Sequence, residues 1–308
     1  MNTPSNPLPE SFGSQAAPAA LSATRPFYWS LRRELWEYRS IYLAPLAFAG
    51  VVLLSFGFVL ARLPHIMRTL SSLDLAQQHK ALAHPYELAE ALIMGAAFIV
   101  SIFYSLDALY GERRDRSILF WKSLPVSDLT AVLAKASVPL LVLPLLAFAI
   151  TVVTECIMLL LGSVVLSASG LSVATLWAQV QLHRSLLGLL YHLVTVHMLW
   201  YAPLYAWFLL VSAWARRAPF LWAVLPPLAI GIFEKIAFHS SHFAELMEYR
   251  VAGGAEGASS MQGSFPIQPG MHHGLGHFLT TPGLWTGLLV AAMFLAAAVR
   301  LRRYREPI

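Results

Sequence analysis

A single cysteine, Cys156, rules out an intramolecular disulfide framework and leaves any cysteine zinc site without a second thiolate. It lies inside an apolar run and reads as a buried structural thiol. Charge is scarce as well. Asp, Glu, Lys and Arg make up 12% of the 308 residues, about half the roughly 25% of a soluble domain. No Gly-x-x-x-x-Gly-Lys-(Ser/Thr) sequence is present, so the chain has no P-loop with which to bind ATP. His-Glu-x-x-His and Gly-x-Ser-x-Gly are absent too. Scattered His and Glu residues form no catalytic constellation, which argues against an enzyme. Residues 1–24 lack the basic start, apolar stretch and small-residue cleavage site of a signal peptide. Rich in Ser, Ala, Pro and Asn, with Glu10 as the one charge, they read as a disordered tail.

What the chain does have is apolar length. Hydrophobic residues reach 57% and the mean hydropathy is +0.62. Six segments are long enough to cross about 30 Å of hydrocarbon at about 1.5 Å per residue. They are residues 41–61, 88–110, 136–161, 186–214, 220–238 and 283–299. The expected fold is an all-α membrane protein, with residues 25–308 forming one transmembrane domain. Residues 62–87 and 239–282 contain most of the two large loops on one side.

Lys and Arg are distributed unevenly. Arg25, Arg32, Arg33 and Arg39 precede the first segment; Arg113, Arg114, Arg116, Lys122 and Lys135 follow the second. Arg216 and Arg217 follow the fourth, and Arg300, Arg302, Arg303 and Arg305 follow the sixth. That side holds 15 of the 21 basic residues. The positive-inside rule therefore places it, with both termini, in the cytoplasm. This also accounts for the pI near 9.4 without nucleic acid as a partner.

Two short elements flank the first and second spans on the basic side. Residues 27–39 form an amphipathic helix, with Tyr28, Leu31, Leu35 and Tyr38 on one face and Trp29, Arg32, Arg33 and Trp36 on neighbouring stripes. Aromatics mixed with arginines suit the headgroup region of membrane lipids; contact with a cytoplasmic partner uses the same residues. After the second span, Gly111 is expected to end the helix, and Glu112, Arg113, Arg114, Asp115 and Arg116 form a charged patch. Ser117 is placed to cap a short helix carrying Ile118, Phe120, Trp121, Lys122 and Leu124, which Pro125 stops. Ile118, Trp121 and Leu124 share a face, and Ser127 or Asp128 caps the next helix. A stiff apolar element beside so many charges suits a partner's groove; lying on lipid would use the same side chains.

The stretch Glu112-Arg-Arg-Asp-x-Ser-Ile-Leu-Phe-Trp-Lys-Ser-Leu-Pro-Val-Ser resembles the loop between the second and third helices of ABC-2 type permeases. About 20 residues carry the resemblance in motif. The six spans, the amphipathic helix before the first and the large segment between the fifth and sixth extend it over residues 25–305. It implies the membrane subunit of an ABC transporter in the inner (plasma) membrane, with the short helix as the coupling helix. Two copies of a separate P-loop ATPase, carrying ATP and Mg, and a second permease subunit are the implied partners. The chain itself binds no cofactor or metal. The family points to export, and the lack of strong polar groups at mid-bilayer favours a hydrophobic or amphipathic cargo. Two other readings stand beside this one. An ion-driven secondary transporter lacks the internal repeats of that class. A non-transporting membrane regulator or assembly protein fits the same sequence.

Several polar residues inside or near the spans call for placement. Asp107 is expected to reach the interface or a basic loop residue, and Glu90 to be solvated. Glu155 either pairs with Lys235 across the bundle or snorkels outward, as do Glu234 and Lys235. His192 and His197 read as packing histidines. His239, His242, His272, His273 and His277 read as a polar cap, because Gly270, Gly274 and Gly276 work against the helix that a His273/His277 metal pair needs. Pro139, Pro144, Pro203, Pro226 and Pro227 invite kinks.

Overall fold

The computed structural model describes residues 24–70, 74–124, 126–253 and 275–304, and among these every regular element is helical. In chain order these are α1 Thr24–Glu37, α2 Ser40–Leu70, α3 Leu75–Asp107, α4 Tyr110–Arg114, α5 Ile118–Ser123 and α6 Asp128–Ser137. A π-helical turn, Val138–Val142, leads into α7 Leu143–Ala168. Then come α8 Val173–Val180, α9 Leu182–His192, a π-helical segment Leu193–Trp200 and α10 Ala202–Trp214. The last are α11 Pro219–Phe238, α12 His242–Val251, α13 Leu275–Thr280 and α14 Pro282–Tyr304.

Five stretches are long and apolar enough to cross a membrane: Ser40–Thr69, Leu75–Arg114, Asp128–Ala168, Pro219–Phe238 and Pro282–Tyr304. A sixth is obtained only by joining Val173–Trp200 to Ala202–Trp214 across a 43° bend. The expected fourth span is therefore not one straight helix. Pro203 has no N–H for Leu199 and its ring crowds that carbonyl, so the chain breaks at Tyr201, whose N–H donates instead to Val196 O at 2.9 Å. Pro226 and Pro227 leave α11 continuous.

The helices overrun the expected boundaries. Most of 62–87, expected as a loop, is helical: α2 continues to Leu70 and α3 begins at Leu75. At about 1.5 Å per residue, α3 spans roughly 50 Å, well beyond the hydrocarbon thickness. Apolar length locates a membrane crossing but not the end of its helix. Nor does Gly111 end the second span, because the chain stays helical through α4 to Arg114. Reversal comes at Arg116, in left-handed backbone at φ 57°.

In the bundle, α2, α3 and α7 pack on one another, α10 sits between α3 and α14, and α1 lies across α6. One apolar core joins Ile41, Ile93, Ala97, Val132, Leu143, Leu193 and Leu209. A second, toward the far end of α2, α3 and α7, joins Phe56, Leu82, Tyr86, Ala89, Met158 and Leu176. By contrast α11 buries only Ala223. Ser127 caps α6, its hydroxyl accepting from Thr130 N at 3.1 Å. Ser127→Ala should cost about 1 kcal/mol, read as a lower thermal unfolding midpoint of the purified protein.

Candidate functional site

At the arginine-rich end, four elements far apart in sequence meet over buried charge. Glu112 on α4 is the centre. Its Oε1 accepts from Arg33 Nη2 at 3.0 Å and lies 3.3 Å from Lys135 Nζ; its Oε2 accepts from Arg302 Nη2 at 3.3 Å. Glu34 on α1 accepts from Lys135 Nζ at 2.9 Å and from Tyr104 Oη at 2.8 Å. Arg302 on α14 also pairs with Asp128 on α6. Three cations and three carboxylates thus fasten α1, α4, α6 and α14 together. Lys135, with 2% of its side chain exposed, is as buried as a core leucine. Such burial costs several kcal/mol per ion, which only close and complete pairing offsets.

Around this centre the neighbours are placed in turn. Burial works against the Arg33 guanidinium's charge, but Glu34, Glu112 and Glu37 outweigh that and hold its proton more firmly than usual. Arg33 also lies over the Trp121 ring, 3.5 Å from its centroid. Tyr38 Oη donates to Asp107 at 3.1 Å; burial, with Asp107 and Glu34 beside it, pushes the Tyr38 phenol well up. Gly111 fits closely here, since a Cβ would sit 3.3 Å from Asp107 Oδ2 and 3.4 Å from Tyr38 Oη, and those side chains would have to shift by a few tenths of an ångström. Arg113 is buried and donates to the carbonyls of Ala213 and Ala215 at 2.5 and 3.2 Å, tying α4 to the end of α10. Exposed Arg114 pairs with Asp115 and lies 3.9 Å from Asp107.

The short helix α5 is carried on this platform, with two residues of its Ile118, Trp121 and Leu124 face turned inward. Ile118 is buried and Trp121 is turned under Arg33, so those two face inward. The apolar side chains presented outward are Leu119 and Phe120, 60% and 61% exposed, with Leu124 at their edge. Ser117 does not cap the helix: its hydroxyl makes a 3.5 Å contact with Glu112 O. Lys122 donates to Arg303 O at 3.3 Å, a further tie to α14. Pro125 lies outside the described residues.

On α1, Tyr28, Trp29 and Trp36 are exposed, with the Arg32 guanidinium 5.2 and 4.7 Å from the two indole rings. Leu31 and Leu35 pack inward on the first core. α1 is thus apolar on both sides, with Glu34 buried among its inward residues.

The other singled-out polar residues are elsewhere. Glu155 does not pair with Lys235; it is fully buried and faces Glu90, itself fully buried rather than solvated. Lys235 is exposed and forms no ion pair among the described residues. Glu234 accepts from Ser240 Oγ at 2.7 Å and from the backbone N–H groups of His242 and Phe243 at 2.9 and 2.8 Å, holding the start of α12. His192 and His197 stack edge to face at 5.4 Å. His272 and His273 lie outside the described residues, and no group of metal-binding side chains occurs among those described.

Sequence reasoning missed Glu34, the inward role of Lys135 and Arg302, and Leu119. One signal was legible: Glu34 interrupts the Leu31–Leu35–Tyr38 stripe, and an acid on an apolar face needs a buried partner. Comparisons with family models, with curated proteins and with solved structures return no match to this chain.

Proposed function

We propose that the chain is the permease subunit of an ABC transporter of the ABC-2 type, an exporter component for an amphipathic cargo in the inner membrane. In this reading α2, α3, α6–α7, the bent α8–α10 unit, α11 and α14 are its six spans. The arginine-rich end and both termini are cytoplasmic, and α1 rests in the lipid interface. A separate P-loop ATPase receives α5 in a cleft. Two permease and two ATPase chains make the working assembly.

One observation carries the proposal. An exposed apolar turn, Leu119–Phe120, is mounted on a buried ionic cluster that reaches α1 and α14, the first and last of the described helices. A turn that only rested on lipid would need no such mounting. An element that takes force from a partner does, because a push on α5 must move α1, α6 and α14 together rather than bend the loop.

Phe120→Asp together with Leu119→Asp should abolish co-purification of a stoichiometric P-loop ATPase from the native membrane in mild detergent, while the variant elutes as the wild type does on gel filtration. Absence of any such ATPase with the wild-type protein would sink the proposal.

A further inference from the structure

A second concentration of buried polarity lies about 25 Å along α3 from Asp107, where the two apolar cores meet. Glu90 follows Ala89 of one core and precedes Ile93 of the other. On α7, Glu155 lies between Ala147 of the first and Met158 of the second. Both glutamates are 0% exposed and their carboxyls interact with each other. Glu90 Oε1 accepts from Ser185 Oγ of α9. With both carboxyls ionised, the other three carboxyl oxygens, Glu90 Oε2 and both of Glu155, meet no donor, and the hydroxyl of buried Thr151 has no partner either; a hydrogen bond between the two carboxyls requires a proton on one of them. Thr151 is one turn before Glu155 and shares its helix face. Four orphaned oxygens on two facing helices are the opposite of what burial normally allows.

No cation of the chain serves them: among the described residues no lysine, arginine or histidine forms an ion pair with either glutamate. The ionisable groups nearest in space, Tyr86 and Glu87 on α3 and Cys156 on α7, can only add negative charge. Arg62 of α2 and Arg184 of α9 are exposed. Two carboxylates cannot stand face to face in a medium of low dielectric constant without a positive charge between them.

We propose that Glu90, Glu155 and Thr151 form a binding site for one small monovalent cation, either a proton bridging the carboxyls or a sodium ion. The bound cation joins α3 to α7, and Ser185 adds α9. Its loss sets like charges against each other and parts the three helices. The site stands independently of any partner ATPase.

The test is reaction of the purified wild-type chain in neutral detergent with dicyclohexylcarbodiimide, which takes a carboxyl proton onto nitrogen while the carboxyl oxygen adds to its central carbon. Adducts are then mapped by peptide mass spectrometry. Labelling is expected at Glu155 or Glu90, and its loss in Glu90→Gln/Glu155→Gln, which mimics the neutral pair. Replacing choline by sodium at constant ionic strength separates the two cations: labelling suppressed by sodium identifies a sodium site, and labelling unaffected by it a proton site. A wild-type protein labelled at neither glutamate in both salts overturns the proposal. That result does not depend on the double variant folding.

Discussion

Glu112→Gln is expected to cost about 3–5 kcal/mol, the range for breaking a buried ion pair from one side. The glutamine has nearly the same shape, so packing is unchanged. What disappears is the negative charge that Arg33, Lys135 and Arg302 share within 3.3 Å. The amide also turns an N–H donor toward cations that have only protons to offer. The thermal unfolding midpoint, followed by tryptophan fluorescence in detergent, should fall on the order of 10 °C. Glu37→Gln is the internal comparison. Glu37 meets Arg33 at the same 3.0 Å, one turn along α1, but its side chain is 45% exposed; an exposed helical pair contributes only about 0.3–0.5 kcal/mol. If the two substitutions shift the midpoint equally, the cluster does not hold the elements together.

Gly287→Leu should free α12 from the bundle. A Cβ at position 287 would lie 2.6 and 2.7 Å from the two terminal nitrogens of Arg250. That guanidinium lies 4.3 Å from the Trp200 ring centroid and donates to Gly283 O at 2.9 Å and Trp200 O at 3.4 Å. Burial pulls it below the usual arginine range, so an alternative position in water is open to it. No residue of α12 is itself buried. Its start is held by Glu234; its far end is held by Arg250, the stacking of Tyr249 on Trp200, and two further side chains: Trp200 Nε1 donates to Arg250 O at 3.0 Å and Tyr201 Oη to Val251 O at 3.0 Å. Losing the charged hydrogen bonds and the ring contact removes about 2–3 kcal/mol. Amide exchange within His242–Val251 should then quicken on the order of 50-fold, with the rest of the bundle unaffected. Arg250→Ala should do the same, and the two together no more than either alone, because both remove one contact. Unchanged exchange in Gly287→Leu would show that the helix is held by something else.

The elements were largely legible from periodicity and apolar length; their mutual packing was not. The N-cap at Ser127, the short helix after Ser117 and five of the six apolar stretches follow from local chemistry. The bend in the fourth depended on whether neighbours would force Pro203 into a continuous helix, and residues near it in sequence say nothing about that. For α5, spacing defined a face but not its direction. Ile118 and Leu119 are both apolar, and only the packing of distant segments, Arg33 on Trp121 among them, separates the buried one from the exposed one. For Glu155 two placements were open, a pair with Lys235 or an outward reach to the interface, and neither is found. The packing of α3 on α7 gave it another acid instead, and the contact is between residues 65 apart.

The charge cluster can also be considered in the order in which a ribosome delivers it. Arg33 and Glu34 emerge first and are already opposite in sign. Glu112 comes next, and Asp128 and Lys135 follow within one short helix of each other. Arg302 arrives last, in the final turns of α14. Until then the unfinished assembly holds one more carboxylate than it has cations. Arg302 is what neutralises it, and α14 is drawn into the bundle by its own last turns. Without Arg302 the cluster keeps every other member, and Asp128 is left without its cation. Closure of the cluster is thereby tied to the docking of α14.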